Sequence, residues 1–502
     1  MTTSIPLNEE QRARTMSRED ASHPHPHALP EPHAVLGLKE AVAIIVGIVI
    51  GAGIFKAPSL VAGMTGSVGW MLGAWALGGL ISLIGALCYA ELATAFPHAG
   101  GDYHFLRLAY GRRLSFLFAW ARFSVITTGS IALLAFVFGD YMTQVLPLGS
   151  YSASLYAVAS ILVLAWINLR GIRSGAATQT WLTLLEVTGL MLIVVAGLWA
   201  ATNGLEPVTP GTAAGAGAAA SATGAATSAA STAPTLAAFG MAMVFVLLTF
   251  GGWNEAAYIS AELKDERRNM VKALILSICL ITILYLAVNW AYWRGLGVDG
   301  MAKSEAIAAD LLKAAFGPVG ATMISVMVAI AALTSINATM IVGSRTNFAV
   351  GRDWPLLSRL GEWDEGRGPV TALVWQTVAA LVLVGVGAVA GGGFKSMVEF
   401  TAPVFWLFFL LSGISLFVLR VREPDVPRPF RVPLYPLLPI VFCLVCAYML
   451  WASLSYVYSQ SLGGFNAAWI GVAVLAFGFI LLAVVRARST GAVPAGPRQP
   501  SP

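Results

Sequence analysis

Two glycine-bearing runs hold the clearest chemistry in this sequence. Gly51-Ala52-Gly53-Ile54-Phe55 directly follows the apolar run from Ile44 to Ile50, and Phe250-Gly251-Gly252-Trp253-Asn254 directly follows the run from Val244 to Thr249. Glycine is unfavourable inside a helix by about 1 kcal/mol relative to Ala, and neighbouring glycines let the backbone leave the helix. Backbone unwound in this way bares N–H donors and carbonyl acceptors that no longer pair along the chain. Close packing of small residues also uses glycine, and with 51 glycines in the chain a single pair carries little weight. Position decides between the two: the runs stand roughly 200 residues apart, at the first segment of each half of a five-plus-five arrangement. Corresponding interruptions of this kind point to an inverted-repeat carrier with a central site at the breaks.

A second set of candidates is ionisable. Lys56, Glu91, Arg122, Glu186, Glu255, Glu262 and Glu399 fall within otherwise apolar segments, where a charge is costly and normally faces a partner or a cavity. Glu91, Glu255 and Glu262 lie towards segment ends or solvated vestibules, where topology accounts for them. No nucleotide loop, metal-ligand set or nucleophile motif accompanies them, so the sequence predicts no enzyme, no cofactor and no metal. Four of the six histidines, His23, His25, His27 and His33, sit in a polar N-terminal stretch without Cys or carboxylate spacing. Cys88, Cys279, Cys443 and Cys446 all lie in apolar segments; the CxxC spacing of the last two reads as small packing residues rather than a redox pair or zinc site.

The elements that must position these groups are membrane helices. A chain of 502 residues that is 57% hydrophobic and 11% charged, with a mean hydropathy of +0.76, exposes more apolar surface than one aqueous core can hide. Stretches of about 20 apolar residues, enough to cross a ~30 Å hydrocarbon layer, recur twelve times. The predicted spans are 41–62, 68–95, 114–147, 153–169, 177–201, 237–262, 271–294, 317–348, 370–391, 396–420, 433–458 and 466–486. They lack the alternation of barrel strands, and backbone groups in lipid must pair within their own segment, so helices are predicted. With the N-terminus in the cytoplasm, 24 of the 30 Lys and Arg residues fall on the inside and only Arg294, Lys303, Lys313 and Lys395 on the outside. The formal net charge of +5 is thereby a matter of topology, and no nucleic-acid partner is predicted. Both termini should be cytoplasmic, in a multi-pass protein of the cell membrane whose surroundings are lipid.

The predicted organisation is a disordered cytoplasmic tail over 1–37, a first repeat over 38–201, an Ala/Gly/Ser-rich external loop over 202–236 and a second repeat over 237–420. Two further helices over 421–488 and a tail over 489–502 complete it.

At the breaks and their flanks the sequence resembles the amino acid–polyamine–organocation superfamily, and within it the L-type amino acid transporter branch. Four blocks carry the likeness: Gly51-Ala52-Gly53-Ile54-Phe55 with Pro58; Tyr89-Ala90-Glu91-Leu92 through Pro97 to Gly100-Gly101-Asp102-Tyr103; Gly251-Gly252-Trp253-Asn254 with Glu262-Leu263-Lys264; and Ser344-Arg345 with Arg352-Asp353. A fifth, Leu419-Arg420 with Arg428-Pro429-Phe430 and Pro436, follows the tenth span. The resemblance implies an all-α fold of about 12 helices, a five-plus-five inverted repeat with two extra helices, and secondary transport of amino acids by exchange or proton-coupled symport. A polyamine or other amine carrier, or a solute sensor on the same fold, is the alternative.

For a zwitterionic substrate, carboxylate and ammonium need donors and acceptors that do not bury a formal protein charge, and unwound helices supply both. As in the family's substrate pose, Gly51, Ala52, Gly53 and Ile54 form the carboxylate side, with N–H groups of the first three as donors. Carbonyls near Ile48 and from Thr249 to Gly251 take the ammonium. Phe250 resembles an aromatic lid, and Gly252, Trp253 and Asn254 border the side-chain pocket. Many members of the branch carry a lysine at the fifth-helix position held here by Glu186, which leaves that carboxyl as a candidate proton carrier. Lys56, on the external half of its helix, is expected to gate with Glu399 of the tenth span rather than to neutralise Glu186. Thr334, Ser335 and Asn337 offer oxygen ligands where this fold can hold sodium, although hydroxyls in membrane helices more often bond to backbone.

Overall fold

The computed structural model describes residues 37–96, 101–170, 176–202, 233–254, 266–362, 364, 369–390, 393–459 and 467–490. The first crossing is interrupted: α1 (Leu38–Val49) passes through a 3-10 turn (Ala52–Phe55) into α2 (Ala57–Thr65), which ends at Gly66 with a left-handed φ of 64°. The chain continues through α3 (Val68–Ala95), the short α4 (Asp102–Tyr110), α5 (Arg112–Ala121), α6 (Thr127–Val145), α7 (Ser152–Leu169) and α8 (Ala176–Thr202). The second half holds α9 (Leu236–Thr249), α10 (Glu266–Lys303), α11 (Ile307–Asp353), α12 (Val370–Ala390) and α13 (Gly393–Arg422), followed by α14 (Leu437–Ser459) and α15 (Ala467–Thr490). Among the described residues no strand forms.

Eight of these segments are long and apolar enough to cross a membrane, and α8, α9 and α15 carry shorter apolar stretches. With the interrupted first segment they account for twelve crossings, so the protein is an all-α, multi-pass membrane protein. Leu80, Ile283 and Val382 are 55%, 68% and 60% exposed, a pattern that would be anomalous in water and is what a lipid-facing surface requires. Helices approach one another closely where small residues meet. Gly139 of α6 lies so close to α7 that an added Cβ would stand 2.1 Å from the Ala153 carbonyl oxygen. Polar side chains stitch helices together where lipid offers no competing partner: Asn168 of α7 donates to Asn337 of α11 at 2.7 Å, and Asn347 of α11 to Gln376 of α12 at 3.0 Å.

Three features depart from the expected spans. The third crossing is one helix from α5 to α6, but Arg122–Ile126 adopts a π-helical turn within it. Helices α10 and α11 are longer than predicted because each runs across a glycine with positive φ, Gly297 at 66° and Gly317 at 70°. Beyond each kink the helix runs on as a short piece, 298–303 after the first and 307–316 before the second. The sixth crossing is helical only to Thr249, short of the predicted 262, and 255–265 lie outside the described residues. The Ala/Gly/Ser-rich tract from 203 to 232 and both tails lie outside them as well.

Candidate functional site

At the first break, α1 stops because Ile50 turns to ψ 95° and Gly51 is fully extended (φ −122°, ψ −173°). The 3-10 turn that follows uses the Gly53 carbonyl to accept from Lys56 N–H at 3.0 Å. Nothing on the described backbone accepts from the N–H groups of Gly51, Ala52 or Gly53. Ala52 and Ile54 are fully buried, so this run of free donors sits within the protein rather than in lipid.

At the second break, α9 ends at Thr249, Phe250 N–H bonds back to the Val246 carbonyl at 3.0 Å, and Gly252 takes φ 108°, a conformation that favours glycine. The two breaks meet: a Cβ on Gly53 would lie 3.3 Å from Thr249 Oγ1 and 3.4 Å from its Cγ2. They are joined by a residue that the sequence reading missed. Tyr285 of α10 donates its hydroxyl to the Val49 carbonyl at 3.1 Å and the Thr249 carbonyl at 3.2 Å. Both carbonyls end a helix and lack an intrahelical partner, so one hydroxyl serves two orphaned acceptors. Nothing in the local sequence marks Tyr285, a lone tyrosine in an apolar run.

The aromatic residues of the second break are taken up by packing. Phe250 is 1% exposed, with its ring 5.0 Å from Tyr285 and 6.1 Å from Trp75 of α3. Trp253, expected at the border of a side-chain pocket, packs edge-on against Tyr89 at 5.2 Å and Phe409 at 5.7 Å. Asn254 is buried beside it. Ile48 lies in the last turn of α1.

The three oxygen-bearing residues of α11 divide. Ser335 reaches the first break, with Oγ 3.9 Å from where a Gly51 Cβ would lie. Thr334 donates to the Ile330 carbonyl at 2.9 Å, and the Asn337 side-chain oxygen accepts from Asn168. Two of the three candidate ion ligands are therefore engaged within the helix scaffold.

The gate expected between Lys56 and Glu399 does not form. Lys56 Nζ lies 2.8 Å from Asp140 of α6 and 2.7 Å from Glu305, and donates to the Glu305 carbonyl at 2.6 Å. Glu399 is buried one turn from Lys395, its closest cation at 3.8 Å, and its Oε1 accepts no hydrogen bond among the described residues. The pairing was misassigned because the approach of α6 and of the α10–α11 connection to Lys56 is a tertiary contact. Asp140, a carboxylate within the third predicted span, bears the same signal as Glu186 and was passed over. Glu186 lies on α8, but its side chain is outside the described residues, as are Glu255 and Glu262.

Residues from two of the sequence blocks converge where α3 ends. Glu91, 1% exposed, receives Arg420 Nε and Nη2 at 2.7 and 2.6 Å and the Val432 N–H at 2.7 Å. Beside it Asp102 accepts from the Tyr89 hydroxyl at 2.6 Å and from Ser412 at 2.9 Å. These bonds fasten α3 and α4 to the end of α13 and the segment after it.

The amino acid permease family pattern matches residues 36–485. The large neutral amino acids transporter small subunit 2 of Mus musculus is 29% identical over 469 residues, 89% of this chain and 83% of the relative. The b(0,+)-type amino acid transporter 1 of Mus musculus is 28% identical over 422 residues, 83% of this chain and 82% of its own length. The Asc-type amino acid transporter 1 of Mus musculus is 29% identical over 422 residues, 83% and 75% of the two chains. With twelve crossings, an interruption in the first segment of each half and a family match over nearly its whole length, the chain belongs to the amino acid permease family and is a transporter rather than an enzyme.

Proposed function

We propose that this permease moves zwitterionic amino acids across the cell membrane by alternating access, binding them between the two breaks. The observation that carries the reading is the pairing of unlike backbone ends. The N–H groups of Gly51, Ala52 and Gly53 have no backbone acceptor, while the C-terminal carbonyls of α1 and α9 meet at one hydroxyl. An α-carboxylate takes the donor run and an α-ammonium takes the carbonyl ends, where each helix dipole is negative. No charged side chain is required on either side, which suits a solute that is neutral overall. Similarity to the large neutral, b(0,+)-type and Asc-type transporters supports this solute class.

The orientation we adopt has both termini in the cytoplasm, on the strength of the basic residues gathered on that side. The repeat boundaries at 38–201 and 237–420 follow from the same threading. Glu186 is our candidate for a proton carrier, because a carboxyl within α8 is costly to keep charged in lipid. Exchange is the basal mode, and a proton gradient would add to it through Glu186.

Counterflow into proteoliposomes, with a panel of neutral and cationic amino acids and simple amines, tests the proposal. Accumulation of labelled neutral amino acid against an unlabelled internal pool is expected. Binding without counterflow would make the chain a sensor, accumulation of amines alone would move the substrate class, and no response to any solute would reject the reading.

A further inference from the structure

The strongest unassigned cluster lies on the face opposite the chain's ends, external in the orientation adopted above. Consecutive residues of two helices face one another there. Lys56, 5% exposed, is surrounded by three oxygens: Asp140 Oδ2 at 2.8 Å, Glu305 Oε2 at 2.7 Å and the Glu305 carbonyl at 2.6 Å. An ammonium has three donors, so this set saturates it. One residue on each side, the Tyr141 hydroxyl donates to the Phe55 carbonyl at 2.6 Å and accepts the Ala308 N–H at 3.3 Å. Phe55 and Lys56 belong to the turn that follows the free donors of the first break. Asp140 and Tyr141 belong to α6, and Glu305 and Ala308 to the connection into α11.

We propose that Lys56, Asp140, Tyr141 and Glu305 form an external latch, with Asp140 and Tyr141 acting as positioning residues for the carboxylate-binding turn of the first break. The latch rests on the reading of the chain as an alternating-access carrier. A solute entering from outside must pass Phe55 and Lys56 to reach the donors of Gly51 to Gly53, and these two residues are held shut from α6 and from the α10–α11 connection. Opening therefore requires the turn at Phe55 and Lys56 to part from α6. Burial grades the bonds along that path. The Asp140 side chain is 18% exposed and that of Glu305 is 82% exposed. Water weakens the outer pair, as it does exposed ion pairs in general. The inner pair is the stronger hold, because removing one partner leaves a buried charge unmatched. The three-residue contact is thus strong enough to favour the closed state and is held at its rim by a bond that water can replace. A static brace would need no such gradient.

The test uses the full chain in proteoliposomes with a reporter cysteine, Ser59→Cys, one turn beyond Lys56 and 3% exposed in the closed state. A membrane-impermeant maleimide is applied from outside, and labelling of the chain without the reporter is subtracted. Asp140→Asn should raise the labelling rate about fivefold or more, the effect of a shift of roughly 1 kcal/mol in the closed-to-open balance. It should also lower the external half-saturation concentration while lowering the maximal exchange rate. Asp140→Glu should restore both. Glu305→Gln, on an exposed side chain whose loss does not threaten folding, should raise labelling about twofold. Unchanged labelling in Glu305→Gln and Asp140→Asn, or a fall in maximal rate with no change in half-saturation, would overturn the latch. Absence of counterflow in the unaltered chain would instead reject the carrier reading, so the two failures are distinguishable.

Discussion

Replacing Tyr285 by Phe removes one oxygen from the place where the two interrupted helices meet. The ring contacts stay: Phe250 at 5.0 Å and Trp75 at 5.6 Å are made by the aromatic face and edge. What is lost is a single donor shared by the Val49 and Thr249 carbonyls at 3.1 and 3.2 Å. Leaving a buried acceptor unsatisfied costs about 1–3 kcal/mol. The cost falls on the geometry of the site, because the shared hydroxyl bridges the two carbonyl ends. We expect a fall in kcat/KM of about tenfold, within the five- to 150-fold that 1–3 kcal/mol spans. The loss should appear mostly as a higher half-saturation concentration, because the acceptor ends are no longer held at the spacing the ammonium needs. Tyr285→Leu should lose more, having given up the ring contacts as well. Concentration-dependent counterflow, normalised to protein that elutes as a single species in detergent, measures both quantities. If Tyr285→Phe stays within twofold of the unaltered chain, the hydroxyl does not hold the breaks together and the convergence of the two helix ends loses its functional meaning.

Other expectations follow from the same geometry. Gly53→Val should abolish transport while expression persists, because Thr249, whose hydroxyl is tied to the Phe245 carbonyl at 2.8 Å, cannot retreat from a branched side chain. Gly53→Ala should lose about tenfold and recover in part when combined with Thr249→Ser, which removes the methyl at 3.4 Å; no recovery would show the defect to lie elsewhere. Glu91→Ala should cost about 3–5 kcal/mol in stability by stranding Arg420 and the Val432 N–H, read as a lower melting temperature in detergent. Glu186→Gln should keep exchange and lose stimulation by an inward pH gradient, and an unchanged pH response would remove Glu186 as the proton carrier.

The crossings were legible because hydropathy over 20 residues is a property of each segment alone, and the first break was legible because Gly51 and Gly53 remove helix preference locally. Both signals survive without knowledge of neighbours. The partners of Lys56 were not legible, since Asp140 lies 84 residues along the chain and Glu305 lies 249 along it. Choosing Glu399 used depth in the membrane as the only coordinate, and depth cannot say which helices are adjacent. The ring contacts of Trp253 with Tyr89 and Phe409 were not legible either, because both partners lie far along the chain. The π-helical turn at Arg122–Ile126 has no signature in composition and no sequence rule here anticipates it.

The arrangement of polar bonds also says where this protein can move. Asn168 with Asn337 and Asn347 with Gln376 tie α7, α11 and α12 into one body. Tyr285 ties α10 to α1 and α9, and Ser277 of α10 reaches the Val42 carbonyl of α1 at 3.5 Å, forming a second body that contains both breaks. The first segment is bonded to α6 through Lys56 and the Phe55 carbonyl, both on one side of the break. Glycines 51 and 53 therefore lie between α1, which is bound to α10, and a turn held from α6, while α2 beyond the turn packs on α9 and α10. Unwound backbone there leaves donors free for a carboxylate and lets the turn shift without dragging a continuous helix with it. A continuous helix would forfeit both properties at once, so a substitution that rewound this segment should impair binding and gating together.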